Sequence, residues 1–125
     1  MISGYGHGII SRWWGEGGNG KGYRSIGEVK QANSEMGEVW FSRSTLGYWR
    51  TRVSDYLYGG RYFVTSDRQW NDTRAYTVRE AMPDGSIRTV GEFGQYTSRS
   101  GAHGAAERMG REPMPADHLT TYTHR

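Results

Sequence analysis

Residues 74 to 93, RAYTVREAMPDGSIRTVGEF, admit few folds. In RAYTVRE, residues 74 to 80, Tyr76 and Val78 alternate with Thr77 and Arg79, which is the two-residue period of a pleated strand. MPDG, residues 82 to 85, then supplies proline, aspartate and glycine in the order a tight turn takes them. In SIRTVGEF, residues 86 to 93, alternation resumes with Ile87, Thr89 and Phe93 on one face and Arg88, Val90 and Glu92 on the other. An antiparallel hairpin is expected. RYFVTS, residues 61 to 66, is β-branched and aromatic and adds a third strand ahead of it.

Helices flank the strands. Ser25-Ile26-Gly27-Glu28 has the spacing of a capping box, with serine at the N-cap and glutamate three residues on. Ile26, Val29, Ala32 and Met36 follow at helical spacing, and Gly37 supplies the stop. Val39, Trp40 and Phe41 add a brief strand or plug the core. A second helix is expected from Ser44, with Leu46, Trp49, Val53 and Tyr56 or Leu57 as its apolar stripe and Gly59-Gly60 as its end. That stripe makes Trp49 a core residue. Ser98 caps a last helix whose Ala102, Ala105, Ala106 and Met109 form a face of small residues suited to close packing on a sheet, with Gly110 as its stop.

Residues 1 to 24 hold eight glycines among Tyr5, Trp13, Trp14 and Tyr23, a density that raises the cost of ordering and marks an arm. Residues 112 to 125, with Pro113 and Pro115, read as a disordered tail. The expected architecture is one α+β domain over residues 25 to 111, a three-stranded antiparallel sheet in the order α-β-β-β-α with its helices packed on one face.

At 125 residues the chain suits one domain with one modest core. It has no cysteine, which removes disulfides, thiolate metal sites and a Cys nucleophile. No apolar run of about 18 residues occurs, and no charged stretch followed by an apolar one opens the sequence, so a soluble, cytoplasmic protein is expected. GEGGNGKG, residues 15 to 22, places Gly15, Gly20 and Lys21 on the fixed positions of a phosphate-binding loop. Gly22 stands where such a loop carries the Ser or Thr that holds magnesium, and the preceding SRWW is no buried parallel strand. Asp67 and Asp72 fall in polar loop sequence, so no later strand offers a second magnesium contact. The stretch reads as a loop, and no nucleotide cofactor is expected. His118, His124 and Asp117 lie in the tail, where nothing preorganises a metal site, and His103 reads as an exposed helix residue. G-x-S-x-G and H-E-x-x-H are absent, so no catalytic residue and no metal ligand is assigned, and the chain is not read as an enzyme.

Basic residues outnumber acids 16 to 13, for a net charge of +3, which is compatible with an acidic partner. Arginine supplies all the basic residues but Lys21 and Lys30, and arginine pairs bidentately with phosphate, stacks, and tolerates partial burial. Arg79 shares a strand face with Thr77, Arg88 shares one with Val90 and Glu92, and Arg99 opens the last helix. These three are the candidates for a phosphate-facing surface, with a solvated polar face as the open alternative. Trp13 and Trp14 of the arm, together with Arg50 and Arg52, are the candidate anchors for a protein partner.

Residues 45 to 109, read as α-β-β-β-α, resemble the double-stranded-RNA-binding domain in order and length. Ser98, Ala102, Ala105 and Ala106 follow the serine-and-alanine pattern of that family's last helix. Arg99, Ser100 and His103 stand where that family has phosphate-binding lysines, and its Gly-Pro-x-His loop is missing. The series STLGYWRTRV, GGRYFVTSD, RAYTVRE, DGSIRTVGEF and the Ala-rich helix is similar to a family of small phage and prophage domains. That likeness implies an accessory protein that acts by binding, on nucleic acid or on a host complex that handles it. The alternative it implies is a counter-defence inhibitor, of the anti-CRISPR kind, that docks directly on a host protein.

Overall fold

The computed structural model describes residues 22–47 and 50–112. Trp13, Trp14, most of the glycine loop, Trp49, His118 and His124 lie outside them.

Four strands form one antiparallel sheet in chain order: β1 (Arg52–Val53), β2 (Tyr62–Arg68), β3 (Arg74–Ala81) and β4 (Ile87–Val90). The expected hairpin is β3–β4, with Ala81 opposite Ile87 and Arg79 opposite Thr89. Its turn closes through a hydrogen bond from Gly85 N to Met82 O at 2.9 Å, and the Asp84 carboxylate accepts from Ser86 N at 2.9 Å.

The sheet has four strands where three were expected, and the extra strand comes from the segment read as the second helix. That helix, Arg43–Gly47, is only five residues long. Arg50 N and Thr51 N bond back to Gly47 O and Leu46 O, and Arg50 takes a left-handed φ of 52°, so the chain turns out of the helix. The β-branched Thr51 and Val53 then favour extended pairing, with Arg52 opposite Ser66 and Val53 opposite Thr65.

The two long helices, Ile26–Glu35 and Arg99–Gly110, are α1 and α3, with Arg43–Gly47 as α2 between them. They cover opposite faces of the sheet, which corrects the expectation of helices on one face. Successive strand residues point to opposite sides. Phe63 accordingly joins Ile26, Val29 and Ala32 of α1 in one core, while Tyr62 and Val64 join Ala102, Ala105 and Ala106 of α3 in another. β2 is buried from Tyr62 through Asp67, and a single layer of helices covers only one side of such a strand. α3 begins as expected, Ser98 Oγ accepting from Gly101 N at 3.0 Å. At its other end a Cβ on Gly59 would lie 2.3 Å from Gly110 O, so the helix rests directly on backbone.

At the start of α1, Ser25 Oγ accepts from Glu28 N at 3.2 Å, and the Glu28 carboxylate reaches back to Arg24 N at 2.9 Å. Met36, expected on the apolar stripe, is exposed at the C-cap. Asn33, absent from that stripe, is buried and ties three segments together. Its Nδ2 donates to Glu38 Oε1 at 2.7 Å and to Gly85 O at 2.9 Å, and its Oδ1 accepts from Trp40 N at 3.0 Å. Gly85 has a φ of +98° and a Cβ there would meet Ala32 O at 2.6 Å, so the hairpin turn sits against the helix backbone. Trp40 and Phe41 plug the core rather than form a strand, packing edge to face with ring centroids 4.8 Å apart. Tyr23, expected in the arm, is buried, its hydroxyl donating to Met82 O at 2.7 Å.

Asn33→Ala removes every side-chain bond of this staple and leaves Gly85 O and Trp40 N without it, a loss of about 1–3 kcal/mol. A lower denaturant midpoint at unchanged slope is the expected outcome of equilibrium unfolding.

Candidate anion-binding cleft

β2 and β3 run on past the N-terminal end of α3. The helix covers Tyr62, Val64 and Val78, and beyond them the same face turns polar, with Arg52, Ser66 and Tyr76 side by side and Arg74 next along β3. The uncovered stretch is the floor of a cleft of about 600 Å³. Arg99 and His103 from the first turns of α3 close one side, and Asp55 and Tyr56 from the loop after β1 close the other.

Positive charge dominates this space. Arg74 is fixed by three hydrogen bonds, Nε to Ser66 Oγ at 3.0 Å and Nη2 to Ser66 O at 2.8 Å and Arg50 O at 2.7 Å. Burial, and after it the neighbouring Arg52, pull its pKa down. Among the described residues no ion pair engages Arg52, Arg74 or Arg99. The N-terminal end of α3 adds the positive pole of the helix dipole. His103, expected to be exposed, is half-buried: its Nδ1 lies 2.8 Å from Tyr58 Oη, and the Tyr56 and Tyr58 rings meet it edge-on at 5.9 and 5.8 Å. Its pKa is lowered by burial first and by Arg99 second, while that of Tyr58 is raised, by burial first and by Glu107 second. A neutral imidazole therefore meets a protonated phenol at neutral pH. The guanidinium forks of Arg52 and Arg99, with the Nη1 that Arg74 has left over from its three bonds, suit an oxyanion that accepts several bonds at once.

The candidate residues fall in different places. Arg52, a candidate anchor for a protein partner, and Arg99, a candidate phosphate contact, both line the cleft. Arg79 does not reach it, because its register opposite Phe63 and Thr89 places it on the α1 face. It is 8% exposed, donates through Nε to Thr65 Oγ1 at 2.9 Å, and lies between the Trp40 and Phe93 rings at 5.1 and 5.6 Å. This arginine holds the fold together, and the shared phosphate-facing surface expected for Arg79 and Arg88 does not form. Arg88 lies on the α3 face, its Nη2 2.8 Å from one oxygen of the fully buried Glu80, whose other oxygen is 3.7 Å from buried Arg61. Arg50 is exposed and enters the site through its carbonyl oxygen, which Arg74 grips. Asp67, expected in a loop, is a buried β2 residue that accepts from Thr51 Oγ1. Arg74, Ser66 and Tyr56 were not among the candidates. Arg74 had a signal, since it continues the Tyr76–Val78 alternation outward by one step.

Among the described residues no group of three or more His, Cys, Asp or Glu side chains is placed to hold a metal ion, and no helix is long and apolar enough to cross a membrane.

A family model matches residues 25–107. The chain belongs to DUF7447, a family of unknown function. No curated protein and no solved structure matches it. The DUF7447 segment opens at the cap of α1 and closes within α3, so it takes in the sheet, α1, most of α3 and each cleft residue named above.

The buried and half-buried charges make two expectations measurable. Glu80→Ala removes a fully buried carboxylate from between Arg61 and Arg88, which costs about 3–5 kcal/mol and should appear as a large fall in the unfolding midpoint. The lowered pKa of His103 makes the folded chain release this proton more readily than the unfolded chain. The resulting stabilisation is complete above the unfolded value of about 6.5 and is lost as pH falls through the folded value. Denaturation at pH 8 and pH 5 should show lower stability at pH 5, and His103→Gln should reduce the difference.

Proposed function

We propose that this protein is a non-enzymatic binding protein that holds nucleic acid by its phosphodiester backbone in the cleft between α3 and the β1–β2 edge. The observation that carries this reading is the gathering of Arg52, Arg74 and Arg99 around one concave floor with no ion pair among the described residues to neutralise them. Like charges held close repel one another, and a phosphate shared between them turns that repulsion into attraction. Arginine keeps its charge at any physiological pH, which suits a site whose task is to hold an anion. Tyr56 and Tyr76 in the same cleft offer ring faces to a sugar or base. The net charge of +3 adds long-range attraction. The likeness of the strand and helix segments to small phage and prophage domains supports an accessory factor working in a host cytoplasm on nucleic acid or on the complexes that handle it.

The test is a titration of labelled DNA and RNA, single-stranded and duplex, at two salt concentrations. Affinity should fall steeply with salt. Arg52→Ala and Arg99→Ala should each flatten the log–log slope by roughly 0.7–0.9, the share of one neutralised phosphate. Both side chains are exposed, so melting should hardly change. Failure to bind any oligonucleotide at low salt overturns the reading and favours direct docking on a host protein.

A further inference from the structure

We infer that the nucleic acid is single-stranded and that Trp70, at the tip of the β2–β3 hairpin, stacks on one of its bases; this rests on the cleft reading above. Trp70 is 92% exposed, the most exposed large hydrophobic side chain among the described residues. The turn that carries it is braced. Gln69 N donates to Thr73 O at 2.7 Å, Asp72 N to Gln69 O at 3.0 Å, and Thr73 Oγ1 to Asn71 Oδ1 at 2.6 Å. Arg68 and Asp72 close it with an ion pair of 3.1 Å. A fixed turn thus holds the largest apolar side chain in water, where its exposure is unfavourable, and none of the described residues covers it.

Position links this ring to the cleft. Ser66 and Arg74 are part of the cleft floor, and they are also the legs of the hairpin, each four residues from Trp70. At about 3.3 Å per residue the tip stands at most about 13 Å beyond that floor. A strand whose backbone lies across Arg52, Arg74 and Arg99 runs on toward the tip, and there its bases need a partner. A duplex keeps its bases stacked inside and has no ring face to present along its length. A single strand has free ring faces, and one aromatic platform beside an electropositive groove is how such strands are held without regard to sequence. Tyr56, exposed at the cleft mouth, is a second ring on the same path.

The test is fluorescence anisotropy with a labelled oligothymidine of about 12 nucleotides, a length within the usual site size, and with a duplex of equal length. The full chain should prefer the oligothymidine. Trp70→Ala should weaken that binding roughly 5- to 150-fold, leave duplex binding and the melting temperature unchanged, and be largely rescued by Trp70→Phe. If Arg52→Ala weakens the oligothymidine complex and Trp70→Ala does not, the inference falls while the cleft reading stands. Duplex binding as tight as single-strand binding overturns the inference in the same way. Binding of neither overturns both.

Discussion

β2 is buried on both faces, and the rest of the fold answers to that constraint. Tyr62, Phe63 and Val64 are consecutive, so they drive burial toward both sides at once, each contributing roughly 1.5–3 kcal/mol when fully removed from water. One helix meets one side and one the other. α3 approaches through Ala102, Ala105 and Ala106, small enough to bring helix and sheet close. Its 12 residues cover only part of the strand pair. The face turns polar where that cover ends, from Val64 and Val78 to Ser66 and Arg74. The cleft is the part of a two-sided sheet that one helix leaves bare.

Features set by local rules were legible in the sequence. The serine caps at Ser25 and Ser98, the alanine face of α3 and the β3–β4 hairpin all depend on residues within a few positions of one another. The second helix failed because Leu46, Trp49 and Val53 keep helical spacing while pairing with Ser66 and Thr65, far along the chain, holds Arg52 and Val53 extended. Two-sided helical cover had a signal in Tyr62-Phe63-Val64, where apolar residues follow one another without alternation. The separation of Arg79 from Arg88 follows from counting across the turn: Ala81 opposite Ile87 sets Arg79 opposite Thr89 and Arg88 opposite Glu80, on different faces. Asn33 had no such signal, since its partner Gly85 is 52 residues away.

The arginines divide by the company they keep. Arg61 and Arg88 balance the buried charge of Glu80, and Arg79 satisfies threonine hydroxyls between two aromatic rings. A buried charge is tolerated only when it is paired and hydrogen-bonded, so these residues are committed by the fold itself. Arg52, Arg74 and Arg99 lie at the solvent side, held by geometry or by neutral acceptors. Composition alone cannot sort arginines in this way. Strand register can.

The sheet's borders have a consequence for how copies of the chain meet. β1 contributes two paired residues at one edge and β4 only four at the other. Edges this short offer no long row of unpaired amide and carbonyl groups, the template on which strands from another molecule add. Each edge also carries an arginine, Arg52 on one and Arg88 on the other. Two like edges brought together about a twofold axis would set these cations near one another. A sheet rich enough in apolar residues to be covered on both sides thus ends, among the described residues, in short margins that each bear a cation.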